Sequence, residues 1–433
     1  MMKKIAVIGG GVSGIATAFY LAQAGLDVDL YEANDVLGGR VACQKLGERW
    51  VDMGGKNIGQ RYAHFRSFLD AIGTFEFEYF GLNSGQQVGN KVVALNKDRS
   101  TLHNLFQVSR RVGLRGIHHL MRAAYCIYQD RRQGFLNTPF FNRLSDRYDK
   151  YPLSHYFSPK THDFLLRVLT VRMNGAEPDE CYLGNFGANL NLLMDNYEQL
   201  KSGMHSWLDA FTHCSEKIKV HTGCPVQSIS CAGNRWMLQV ANHAAEYDAV
   251  VLALPARQAA TLLAPVSPQV STLLGEIRYY PVATAVAEYE HDVFTGQNRA
   301  MVFPVSSPLS NAGAYGTHDL NLVRYTFSGR AARTAFTQGV AETELIERAE
   351  KELSTFFNIA GNRRSRHAYR QIPEGLCAYS AFHHQRLRQI QNSLPANIFL
   401  TGDYWRGVSI EACFQAAYEQ AQKIIQLFTA TQH

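Results

Sequence analysis

Three glycines and one acid near the start of the chain have the types and spacing to hold a dinucleotide. Gly9, Gly11 and Gly14 form a G-x-G-x-x-G run, and Glu32 follows 18 residues after Gly14. Each has a mechanical job. Gly9 allows a tight turn, Gly11 lets backbone approach a pyrophosphate, and Gly14 lets a helix pack close to a sheet. A carboxylate at Glu32 can accept hydrogen bonds from a ribose diol.

Those residues work only if the right elements carry them. The apolar run Ile5 to Ile8 predicts a strand feeding the glycine turn. A helix follows, with Gly25 at its expected end, and a second apolar run ends at Glu32. The N-terminus of that helix would face the phosphates with free N–H groups and the positive end of its dipole.

The continuation narrows the cofactor. Gly38-Gly39-Arg40 comes five residues after Glu32, and Trp50-Val51-Asp52-Met53-Gly54-Gly55 comes next. Two glycines permit close backbone approach, and Arg40 supplies a forked cation for phosphate oxygens. The stretch resembles the opening of the large flavoprotein superfamily of amine oxidases, protoporphyrinogen oxidases, phytoene desaturases and UDP-galactopyranose mutases. The resemblance implies FAD, with the Gly39-Arg40 turn along its pyrophosphate and the Gly54-Gly55 segment near the flavin.

Two further matches lie far along the chain. Asn397 to Leu400 reads as a short buried strand, then Thr401-Gly402-Asp403, then a helix-period apolar series from Ile410 to Phe428 with Ser409 as N-cap. This is similar to the family's closing motif and implies Asp403 near the ribityl or phosphate region. It also implies a helix N-terminus, at Ile410, pointing at the flavin edge. The segment Gly407 to Cys413 and Tyr369-Arg370-Gln371-Ile372-Pro373 most resemble the protoporphyrinogen oxidase branch. Mid-chain, Gly203 to Phe211, the strand-like Ile218–Val220, Val226–Ile229 and Trp236–Val240, and the run Asp248 to Pro255 form a third match; the resemblance implies a small β-meander and a 248–255 strand that returns to the parallel sheet. The backbone of Val226 would then lie near the adenine.

The expected fold is therefore α/β: a Rossmann-like FAD-binding domain, mostly parallel sheet plus the β-meander, and a second α+β substrate domain. The length of 433 residues is too great for one core. The first domain is expected to be discontinuous, over 1–80, 195–275 and 385–433. The substrate domain would take 81–194, largely helical, and 276–384. The latter has strand-like runs Val282–Tyr289, Ala300–Pro304 and Leu320–Phe327 and a helix over Glu342–Phe357.

Composition sets outer bounds. Hydrophobic residues make up 46% and charged residues 18%, which fits a globular chain rather than a disordered one. No apolar run reaches the ~18 residues that span a bilayer. Eight scattered cysteines without a CxxC pair suit a cytoplasmic location and argue against structural zinc, and no metal site is expected. No nucleic-acid module is recognisable. The net charge of +6 is concentrated between 110 and 147, at Arg110, Arg111, Arg115, Arg122, Arg131, Arg132, Arg143 and Arg147, interleaved with apolar residues. That segment reads either as a solvated helical face or as a peripheral contact with an anionic membrane or a lipophilic acidic substrate.

The chemistry follows from the resemblance: a hydride leaves a substrate carbon for flavin N5, from a C–N or C–C bond of a hydrophobic small molecule, heterocycles included, with O2 as the reoxidant. Tyr279, Tyr280, Tyr325 and Tyr379 are candidates for the pocket wall, or plain core. Many amine oxidases of the superfamily carry a lysine near flavin N5. The matching stretch, Ala285 to His291, has none, and no lysine occurs from 220 to 350. Cys377 lacks the context of a covalent flavin link, so FAD is expected to be non-covalent. No catalytic base is assigned. Two alternatives stand beside this reading: redox-neutral isomerase or mutase chemistry, and a non-catalytic protein that retains FAD.

Overall fold

A computed structural model describes residues 3–79, 83–88, 91–95, 114–241, 243–296 and 298–429. Arg110 and Arg111 lie outside the described residues. A five-stranded parallel sheet organises the nucleotide-type half. Its strands lie in the order Ile218–His221, Asp27–Tyr31, Lys4–Ile8, Ala249–Leu252, Ile398–Leu400. Lys4–Ile8 and Ala249–Leu252 are buried on both faces, as parallel strands covered by helices must be. The run from Asp248 thus returns to this sheet, next to the first strand.

Helices Val12–Gln23 and Ile410–Thr429 cover one face. Ile15, Phe19, Phe414, Ala417 and Ala421 share a core there with Phe65, Phe68 and Trp207. The β-meander lies over the other face as an antiparallel sheet of Val226–Ala232, Arg235–Val240 and His243–Tyr247. Its inward residues Trp236, Leu238 and Val240 pack with Val250, Leu252 and Ala259.

A seven-stranded mixed sheet forms the second half. Its order is Arg364–Ala378, Arg278–Tyr289, Leu322–Phe327, Leu309–Ala314, Asn298–Val302, Asn83–Val88, Lys91–Leu95. Helix Glu342–Leu353 packs on it through Leu345, Ile346, Ala349 and Leu353. Pro373 falls where the Arg364–Ala378 strand bulges against Tyr280 and Val282, the position within a ladder that tolerates a missing N–H. Segment 114–194 is mainly short helices around Phe141, Leu153, Leu166 and Phe186.

Within the basic region, helix Leu114–Gln129 exposes Met121, Tyr125 and Tyr128, at 65%, 64% and 68%. Their spacing of four and three puts all three on one helix face. Arg122, Arg131, Arg132, Arg143 and Arg147 are exposed nearby in sequence. Among the described residues, no helix is long and apolar enough to cross a membrane.

Candidate functional site

The four strand ends Ile8, Tyr31, Leu252 and Leu400 lead into the glycine turn, Glu32, the 253–255 loop and Gly402. These are the loops outside the carboxyl ends of a parallel sheet, where such folds bind ligands. Gly9 adopts φ +108°, and a Cβ there would stand 2.6 Å from the Ala253 carbonyl oxygen. A Cβ on Gly14 would stand 1.8 Å from the Gly9 carbonyl oxygen, so only glycine permits this packing.

Gly11 is different. Its φ of −79° suits any residue, and the nearest atom to a Cβ would be Gly39 Cα at 3.9 Å. The protein's own packing leaves room there. Gly11 and Gly38 form a parallel bridge that brings the two glycine loops side by side. Helix Val12–Gln23 starts at Gly11 with no side-chain cap and no acid in its first turn. Two adjoining glycine turns at an uncapped helix N-terminus fit a pyrophosphate.

Glu32 is buried at the end of the second strand, with its carboxylate bonded locally. It accepts from Gly10 N at 2.7 Å and from Asn34 N at 2.9 Å. Cys224 N donates to the Glu32 carbonyl, which ties the approach to Val226 to this corner. Val226 itself is half-buried, opposite Val240.

Arg40 and Asp403 meet directly. Arg40 Nη1 donates to Asp403 Oδ2 at 2.5 Å, and Tyr279 Oη donates to Asp403 Oδ1 at 2.7 Å. Tyr379 Oη donates to the Asp403 carbonyl at 2.8 Å. Burial works against the Arg40 charge, but the Asp403 carboxylate outweighs it and raises the guanidinium pKa. A Cβ on Gly54 would lie 1.7 Å from the Arg40 carbonyl oxygen, so the 52–55 segment runs against the Arg40 turn. Gly55 has ordinary space, 3.8 Å from Val41 Cγ1. Gly402 adopts φ +149° just before Asp403. Ile410 opens the last helix, and Ser409 Oγ caps it by accepting from Ala412 N at 3.1 Å.

The sequence profile of the family described as flavin containing amine oxidoreductase matches residues 12–425. The chain belongs to that family. It is an FAD-dependent oxidoreductase with an α/β flavoprotein fold.

The fold is similar to that of cyclohexylamine oxidase from Brevibacterium oxydans IH-35A. The TM-score is 0.73 at 15% identity, over 99% of this chain and 100% of that one. Among curated relatives, L-amino-acid oxidase from Bungarus fasciatus is 23% identical over 268 residues, covering 53% of this chain and 48% of the relative. Protoporphyrinogen oxidase 2 from Arabidopsis thaliana is 34% identical over 82 residues, 19% of this chain and 16% of the relative. These matches span less than half the length of either curated relative.

For this flavin-containing oxidoreductase the structure sorts the four candidate tyrosines. Tyr279 and Tyr379 sit on Asp403. Tyr280 faces the Arg333 guanidinium at 3.8 Å. Tyr325 is fully buried in the second half and bonds Tyr289, so it is core.

Several site residues escaped the sequence reading. Arg324 donates to the Asp52 carbonyl at 3.1 Å and the Gly54 carbonyl at 2.7 Å. Arg370 donates to the Gly39 and Ala42 carbonyls at 3.0 and 3.2 Å. Both reach from the seven-stranded sheet to clamp the glycine turns. Lys56 is 4% exposed; its Nζ bonds Gln199 Oε1 and the Tyr315 carbonyl and lies 4.0 Å over the Tyr315 ring. Burial, then the Arg324 charge, push its pKa down to about 7. Its place directly after Gly54-Gly55 was a usable signal; Arg370 lay in the quoted segment Tyr369 to Pro373 but was given no role, and Arg324 had no signal beyond lying on a strand. A cavity of about 300 Å³ adjoins the start of the last helix, lined in part by Tyr62, Met173, Tyr197, Ser409 and Ala412.

Proposed function

We propose that this oxidoreductase dehydrogenates a C–N or C–C bond of a hydrophobic small molecule, heterocycles included, with FAD held non-covalently and O2 as the final electron acceptor. The observation that carries the reading is the meeting of two glycine turns at an uncapped helix N-terminus, Gly11 beside Gly39, with the next residue, Arg40, paired to Asp403. FAD supplies the hydride acceptor when bound. The chain's own work is to hold it and exclude water. In this reading Gly9, Gly11 and Gly14 shape the pyrophosphate turn, and Glu32 meets the adenosine ribose. Val226 lies by the adenine, Gly39 and Arg40 flank the diphosphate, and Gly54, Gly55, Gly402, Asp403 and Ile410 surround the ribityl–flavin end.

Non-covalent attachment is supported by the buried thiols. Burial raises the Cys377 thiol well above its ordinary value and pushes Cys413 up to about 11, with the Asp403 charge adding to both. A thiol held protonated is a poor nucleophile. In the overall reaction the substrate loses a hydride and a proton, and O2 takes up two electrons and two protons as hydrogen peroxide. The domain division expected from sequence accompanies this reading, with substrate between the parallel-sheet half and the seven-stranded half. The Met121–Tyr125–Tyr128 row and its arginines suit contact with an anionic lipid surface.

The test is the visible spectrum of the purified chain before and after denaturation. Two flavin bands released into solution on denaturation are expected. A protein that stays colourless after incubation with FAD overturns the reading. Bleaching of the bands by an amine or tetrapyrrole panel under nitrogen, with peroxide formed on admitting air, identifies the substrate class and acceptor.

A further inference from the structure

One guanidinium holds two backbone carbonyls of the 52–55 segment. Arg324 lies on strand Leu322–Phe327 of the seven-stranded sheet. Its Nη1 donates to the Asp52 carbonyl at 3.1 Å and its Nη2 to the Gly54 carbonyl at 2.7 Å. The sheet ladder sets this direction. Arg324 stands opposite Val286, and directly paired residues share a sheet face. Val286 packs there with Val51 and Met53, so this face covers the start of the segment.

Arg324 forms no ion pair among the described residues, whereas Arg167, Arg333 and Arg406 pair with Glu177, Glu180 and Glu419. The Asp52 carboxylate is turned to other donors, Met204 N at 2.9 Å and Cys43 Sγ at 3.2 Å. The charge of Arg324 therefore falls on peptide groups. The peptides here are trans, so each N–H points opposite to its C=O. With the Asp52 and Gly54 carbonyls on Arg324, the Met53 and Gly55 amides point away from it. Neither amide has an acceptor among the described residues. Met53 is buried, and a buried residue whose N–H lacks an acceptor is uncommon. A cation on the carbonyl side polarises a peptide and strengthens its N–H as a donor. The turn held by Arg370 differs, because Val41 N and Ala42 N already donate to the Gly38 and Gly39 carbonyls.

We propose that Arg324, acting through the Met53 and Gly55 amides, makes the site hold reduced FAD more tightly than oxidised FAD. A hydride brings two electrons and one proton to the flavin, which gains one negative charge. Preorganised donors backed by a cation stabilise charge where it develops. Arg324 is thus a positioning residue for hydride transfer, not a catalytic one. The proposal rests on the assignment of the 52–55 segment to the flavin end of the site.

The test is the two-electron midpoint potential of the FAD-loaded full chain, titrated anaerobically against a reference dye. The wild-type potential should lie above that of free FAD. Arg324→Gln should weaken the preference for reduced FAD about tenfold, a fall of about 30 mV, with FAD content unchanged. Arg324→Lys keeps the charge and should recover about half of that fall or more. A merely structural contact would lower FAD content or the melting temperature without moving the potential. A native potential in Arg324→Gln, or a fall that Arg324→Lys shares in full, overturns the proposal. Where Arg324→Gln takes up no FAD, the other two proteins decide: potentials above that of free FAD in both support the proposal, and a value at or below it in either overturns it. A wild-type chain that takes up no FAD overturns the underlying reading instead, and is recognised before any potential is measured.

Discussion

Arg40 and Asp403 join the two ends of the chain: Nη1 meets Oδ2 at 2.5 Å across 363 residues of sequence. Asp403 is 3% exposed and Arg40 32%, so the pair is only partly screened by solvent. Asp403→Asn leaves the guanidinium without its counter-charge. A cost of about 2 kcal/mol is expected, below the ~3–5 of a fully buried broken pair. Arg40→Gln should cost a similar amount. The double variant should be far less destabilised than the sum, because both singles remove one interaction. Thermal unfolding of the four proteins measures this, and strict additivity would mean the pair is structurally inert.

Gly11 and Gly14 are glycine for different reasons, and alanine separates them. Alanine at 14 would collide with the Gly9 carbonyl at 1.8 Å, so Gly14→Ala should yield little folded protein. Alanine at 11 meets only Gly39 Cα at 3.9 Å. Gly11→Ala should therefore fold with equal or slightly greater stability, up to about 1 kcal/mol. Its FAD affinity should fall by about tenfold or more. Equilibrium dialysis with FAD, beside thermal melts, decides. A Gly11→Ala protein with native affinity would remove the Gly11 turn from the cofactor site.

Lys56 predicts a pH dependence with a definite sign. Its folded pKa of about 7 lies below the ordinary 10.5. The unfolded chain thus holds a proton that the folded chain has lost between those values. The penalty for burying the charge is complete below pH 7 and disappears by about pH 10.5. Stability from this group rises with pH across that window. Lys56→Met lacks it, and also loses two hydrogen bonds at every pH. The stability difference between wild type and Lys56→Met should move in favour of wild type from pH 6.5 to 9.5. A difference that stays flat would show that Lys56 remains charged throughout.

The exposed row on helix Leu114–Gln129 makes a separate prediction. Wild-type protein should sediment with vesicles containing anionic phospholipid and be released by raised salt, as expected for contacts made partly by arginine. The triple change Met121→Ser, Tyr125→Ser and Tyr128→Ser should weaken sedimentation by several-fold without altering the melting temperature, because the three side chains are already in solvent. Equal recovery of wild type in the supernatant with and without vesicles would exclude the lipid surface.

What was legible in the sequence is what short-range geometry dictates. The turn at Gly9 needs a positive φ, and the close packing at Gly14 is a contact with its own turn. Both are local, so spacing alone announced them. The same holds for the buried strands Lys4–Ile8 and Ala249–Leu252, whose apolar runs are continuous, and for the 3.6-residue period from Ile410. Strand Arg364–Ala378 was hidden because its half-exposed, arginine-rich sequence carries no apolar alternation, and Leu309–Ala314 because it is mostly small residues.

Only the tertiary structure decided which charges meet. Nothing within a few residues of Arg40 selects Asp403, and nothing within a few residues of Arg167 selects Glu177. Tyr279 and Tyr325 are alike in type and both lie on strands, yet one bonds Asp403 and the other is core. The physical reason is common to all three. Pairing and desolvation depend on atoms brought together from distant segments, and the periodicity of a single segment holds no record of its neighbours.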